Sequence, residues 1–97
     1  MMDVRSSTSP QADLAFDESD AVIEKHSVTI AGHRTSITIE RAFWRHLRRF
    51  AKQAGLSLNE LLRQLDIART GSLSGAARIY VLQSLEAELA TKTIPDA

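Results

Sequence analysis

Between Ile39 and Phe43 the apolar residues change their period from two to 3.6, and no single element accommodates both. In Arg34-Thr35-Ser36-Ile37-Thr38-Ile39, Thr35, Ile37 and Ile39 share one side of an extended chain while Arg34, Ser36 and Thr38 share the other. From Phe43 the apolar set is Phe43, Leu47, Phe50, Ala51 and Ala54, a stripe that fits a helix over about 41–54 with Gly55 as its stop. A strand with one wholly polar face therefore runs directly into an amphipathic helix.

The elements on either side follow from local signals. Upstream, Val28 and Ile30 alternate with Ser27 and Thr29, which predicts a short strand ended by Ala31-Gly32. A two-residue turn there pairs Ile30 with His33 and Val28 with Thr35, which keeps the apolar residues on one face. Downstream, Ser57-Leu58-Asn59-Glu60 fits a capping box, with the Ser57 hydroxyl on the Glu60 amide and the Glu60 carboxylate reaching back to the Ser57 amide. Leu58, Leu61, Leu62, Leu65 and Ala68 then give a second helix a buried stripe as far as Arg69. After the Thr70-Gly71-Ser72 break, a third helix is expected over about 73–90. Its apolar set, from Leu73 through Ala77 and Val81 to Leu89, is too wide for one partner and predicts cover on more than one side.

Charge divides the chain. Residues 1–24 hold one Arg against six acids, a sum of −5, with few apolar residues and no sustained period; they read as a disordered acidic arm. Residues 25–69 hold nine Lys or Arg against three acids, a sum of +6, and a basic middle beside an acidic arm is a pattern that suits polyanions. The expected organisation is an arm over 1–24, one domain over 25–90 and a flexible tail over 91–97. With 97 residues and no cysteine, the fold has no disulfide or thiolate zinc site to strengthen a small core, which makes oligomerisation the expected source of stability. No apolar run reaches membrane-spanning length and the first residues lack a signal-peptide pattern, so a cytoplasmic protein with no membrane role is expected.

Catalytic signals are weak. Gly71-Ser72-Leu73-Ser74-Gly75 places neither serine centrally, as a nucleophile elbow requires, and capping is the simpler role. His26, His33 and His46 show no metal-ligand spacing, with His26 and His33 on opposite strand faces unless a turn realigns them. No enzyme, metal or cofactor is expected. The polar strand face is the stronger lead: Arg34, Ser36 and Thr38 project in parallel about 6.5–7 Å apart, and such a row can hydrogen-bond base edges in a major groove. A lone strand cannot do so, but two strands paired across a dimer axis form a ribbon that fits. The plain alternative is an amphipathic strand exposing polar side chains to water.

The order strand, helix, Gly55-Leu56-Ser57-Leu58-Asn59-Glu60 link and second helix, over about residues 33–69, resembles the ribbon-helix-helix DNA-binding proteins of the Arc/MetJ type. The segment HSVTIAGHRTS at 26–36 is similar to a small bacterial branch of that family. The resemblance implies a mainly α fold with a short β ribbon, an intertwined homodimer, and DNA as partner. By position it implies base reading by Arg34, Ser36 and Thr38. Phosphate binding falls to Ser57, Leu58 and Asn59, where free amides and the positive helix end agree physically. The third helix exceeds the minimal domain. A transcriptional repressor or autoregulator is the leading expectation; the alternative is an adaptor or antitoxin-like dimer that binds a protein through the third helix or the acidic arm. A hairpin in each subunit would make a four-stranded sheet roughly 14 Å across, wider than the groove.

Overall fold

The computed structural model describes residues 16–93. A short 3-10 helix, Glu18–Ala21, leads into β1 (Ile23–Ile30), β2 (His33–Glu40), α1 (Arg41–Gln53), α2 (Leu58–Ala68) and α3 (Leu73–Thr93). The two strands form an antiparallel hairpin whose register pairs Ile30 with His33, Val28 with Thr35 and Ile23 with Glu40. Its turn places Ala31 at φ 53° and Gly32 at φ 82°. Positive φ at both central residues is the type I′ geometry, whose twist matches that of the flanking strands.

The hairpin starts four residues earlier than the alternation suggests. Toward β1's beginning the side chains on the helix-facing side are His26 and Glu24, not apolar residues, so the hydrophobic period fades while the strand continues. His26 stacks on Trp44 of α1 with ring centroids 3.7 Å apart and planes 3° apart. Glu24 pairs with Arg41 at 2.9 Å, and the Val22 carbonyl accepts from the Arg41 amide at 2.8 Å. Folded structure therefore reaches back to Asp17, which caps the 3-10 helix by accepting from the Ser19 amide. This corrects the expectation of disorder for residues 17–24; residues 1–15 of the acidic arm lie outside the described residues. At the other end α3 runs to Thr93, three residues beyond the expected end of the domain. The hairpin also puts His26 opposite Ile37 and His33 opposite Ile30, so the two histidines share a face rather than opposing each other.

Helix α1 ends as expected. Gly55 adopts φ 73°, its amide donates to the Lys52 carbonyl, and the Leu56 amide donates to the Ala51 carbonyl at 2.9 Å. This is a Schellman motif, and it turns Leu56 back against the core. At the start of α2 only half of the capping box forms. Ser57 Oγ accepts from the Glu60 amide at 3.0 Å, but the Glu60 carboxylate goes forward, accepting from Arg63 at 2.9 and 2.6 Å and from Gln64 at 3.1 Å.

One core joins all five main elements: Val28 and Ile30, Ile37 and Ile39, Leu47, Phe50 and Ala51, Leu61 and Leu62, and Ala77 and Val81. Ile39, Leu47, Leu62 and Val81 are the largest fully buried side chains. The third helix packs against α1, α2 and β2, as its broad apolar surface requires. Two ion pairs and a hydrogen bond fix it there: Arg78 to Glu40 at 2.9 Å, Arg49 to Glu88 at 2.7 Å, and Ser74 Oγ donating to the Thr38 carbonyl at 2.8 Å.

Candidate nucleic-acid interface

Directly opposite residues of an antiparallel pair share a face, so the register defines the outer side of the hairpin. Lys25 lies opposite Thr38, Ser27 opposite Ser36, and Thr29 opposite Arg34. All six are exposed. The expected readers Arg34, Ser36 and Thr38 are thus brought together on one face, as their alternation requires. They are joined by Lys25, Ser27 and Thr29, which the sequence reading left out of the site. The expected turn already implied them: once Ala31-Gly32 closes a two-residue hairpin, the polar residues of β1 must fall beside those of β2. One chain also supplies a two-stranded ribbon of its own. Its strands lie about 4.8 Å apart, well within a groove about 12 Å wide.

The face has donors and acceptors in quantity. An Arg34 Nη donates to Ser27 Oγ at 3.0 Å, which ties the guanidinium across the ribbon to β1. Neither Lys25 nor Arg34 is in an ion pair among the described residues. Elsewhere most arginines are matched: Arg41 with Glu24, Arg45 with Asp20 at 2.7 Å, Arg63 with Glu60 and Arg69 with Asp66. These contacts hold the Glu24 carboxyl below the usual range and take that of Glu60 down to about 2. Five of the nine basic residues in the middle of the sequence are therefore paired within the fold, while Lys25 and Arg34 on the hairpin face are not.

The start of α2 lies against the outer edge of β1. Asn59 is exposed, and its Oδ1 accepts from the Thr29 amide at 3.4 Å, a long hydrogen bond. Ser57 is the N-cap, with its hydroxyl committed to the Glu60 amide. Leu58 turns its side chain toward the core and can offer only its backbone amide. Amides in a first helical turn have no internal acceptor, so Leu58 and Asn59 present N–H groups at the positive end of the helix dipole. Among the described residues no group of three or more His, Asp or Glu is placed to hold a metal ion, and no helix is long and apolar enough to cross a membrane.

A ribbon-helix-helix domain model matches residues 23–85, which is most of the chain and spans the hairpin, α1, α2 and much of α3. The chain belongs to the ribbon-helix-helix domain family. That fold generally binds DNA as a dimer, and its members are typically non-enzymatic. The structure is also similar to that of an uncharacterized protein from Bordetella pertussis Tohama I, with a TM-score of 0.70, 16% identity, and cover of 94% of this chain and 78% of that one. At that identity the likeness concerns the fold. No curated protein sequence matches the chain. In this ribbon-helix-helix domain the ribbon is a hairpin and a third helix completes the core.

Proposed function

We propose that the protein is a bacterial, cytoplasmic, sequence-specific DNA-binding regulator, a transcriptional repressor or autoregulator, that acts as a homodimer. Each hairpin enters a major groove with Arg34, Ser36 and Thr38 reading base edges beside Lys25, Ser27 and Thr29. The first turn of α2, through the amides of Leu58 and Asn59 and the exposed Asn59 side chain, holds a flanking phosphate. The observation that carries this reading is the outer hairpin face, where six exposed polar residues run from the turn to Lys25 and Thr38, with exposed Ile23 only at the far end, on a ribbon narrow enough for the groove.

Selection of bound DNA from a random pool, followed by the same selection with Arg34→Ala, tests it. Loss of a bidentate contact to guanine costs about 1–3 kcal/mol and relaxes preference at one base pair of each half-site. An unaltered consensus would remove Arg34 from the readers, and failure to enrich any sequence would defeat the reading. A second reading, an adaptor or antitoxin-like dimer, draws on Ile79 and Leu82 of α3, which are 53% and 50% exposed. It is supported if Arg34→Ala changes nothing while a defined protein partner is lost on substituting Leu82.

A further inference from the structure

Helix α1 carries a row of cations that the hairpin reading does not use. Arg41, Arg45, Arg48 and Lys52 recur at intervals of four, three and four, which places them along one side of the helix, with Arg49 beside them. They line a groove of about 640 Å³ between α1 and the start of β1. Its floor includes the stacked rings of His26 and Trp44, and Glu24 is its acid. The row rises about 16 Å along the helix at 1.5 Å per residue, a span over which one DNA strand presents several phosphates.

The chain's own carboxylates show what the groove accepts. Glu24 Oε2 lies 2.9 Å from Arg41 Nε, and Asp20 Oδ1 lies 2.7 Å from Arg45 Nη1. Arg48 and Lys52, farther along the row, have no ion pair among the described residues. The position of the groove also suits a duplex. It lies below the β1 side of the hairpin, on the side away from the reading face. A ribbon pushed to the floor of a major groove about 8.5 Å deep has the phosphate rims level with whatever packs beneath it.

We infer that this face of α1 is a second phosphate-binding surface, which holds the DNA backbone at the rim of the groove that the hairpin enters, with Asp20 competing for Arg45 in the free protein. The inference rests on the hairpin reading and adds a sequence-independent contact to it.

The test is fluorescence-anisotropy titration of the full chain with two 20-bp duplexes, one carrying the selected site and one scrambled, at several salt concentrations. The variants are Arg48→Gln with Lys52→Gln, Asp20→Asn, and Arg34→Ala, with circular dichroism showing that each is folded. The double variant should bind both duplexes about tenfold or more weakly, with an unchanged consensus and a salt slope shallower by about 2. Asp20→Asn should tighten both duplexes a few-fold at low salt, and the gain should fade above about 0.15 M as screening grows. An unchanged slope and affinity in the double variant, beside altered preference in Arg34→Ala, overturns the α1 surface and spares the hairpin. The reverse pattern overturns the hairpin and keeps the surface. Tighter binding absent in Asp20→Asn overturns the competition. A wild-type chain that binds neither duplex at low salt overturns both readings.

Discussion

Ala31 is the one described residue other than glycine with positive φ, at 53°, and it pays for the hairpin turn with a conformation that its β-carbon opposes. Asn and Gly fit the first central position of a type I′ turn better than Ala. Ala31→Asn should therefore stabilise the protein by about 1 kcal/mol, read as a higher denaturant midpoint with unchanged slope, and Ala31→Val should lower it. A lower midpoint for the Asn variant would show that the turn relaxes away from this geometry. Ala-Gly is a weak turn signal beside Asn-Gly, yet the alternation on either side still located the hairpin, because a two-residue turn keeps Val28 and Ile30 on the side of Ile37 and Ile39. Residue-level pairings were less legible. Nothing in a sequence marks His26 for Trp44, eighteen positions away, since aromatic stacking has no period.

The seam between α1 and α3 makes stability depend on pH. Glu88 is held below the usual carboxylate range by hydrogen bonding from Arg49, and Glu40 by hydrogen bonding from Arg78. Half-buried His46 is pushed down from 6.5 by desolvation first, then by the charges of Arg49 and Arg45. In each case the folded state binds fewer protons than the unfolded one, so stability rises with pH and is lost on acidification. The first loss begins as pH falls through 6.5, where unfolded His46 gains its proton, and the second follows below about 4.5 as the carboxylates do. Denaturant midpoints between pH 7.5 and 3.5 should show both steps, and His46→Gln should flatten the first while leaving the second. A flat profile down to pH 4.5 in the wild type would remove His46 from this role. At the neighbouring element, Ser57→Ala should cost about 1 kcal/mol through loss of the cap on Glu60. The helices were well marked in the sequence because Gly55 and Ser57 are local stop and start signals. The ion pairs of the seam were not, because Glu40 and Arg78, like Arg49 and Glu88, meet only once α3 has folded back.

At the scale of the whole molecule, the hairpin edges constrain how two copies would meet in the proposed dimer. The β1 edge is engaged at the Thr29 amide by Asn59, and the β2 edge at the Thr38 carbonyl by Ser74. Pairing ribbon to ribbon would disturb these contacts and widen the sheet beyond the groove, so a homodimer of the proposed kind is expected to join through its helices. A groove of about 510 Å³ between the end of α2 and the start of α3, walled by Leu65, Ala68, Ala76, Ile79 and Tyr80, offers an apolar seat. Each hairpin then remains two strands wide and enters its own major groove, and a two-fold dimer selects a palindrome with half-sites about one helical turn, 34–36 Å, apart. The expected solution behaviour is a melting temperature that rises with protein concentration, since association stabilises only the folded chain. Ile79→Glu should shift sedimentation at micromolar concentration toward a monomer and weaken binding to the palindrome far more than to a single half-site. A wild-type chain that sediments as a folded monomer, or a selected site without two-fold symmetry, would defeat the dimer, and an Ile79→Glu protein that stays dimeric would move the interface to another face.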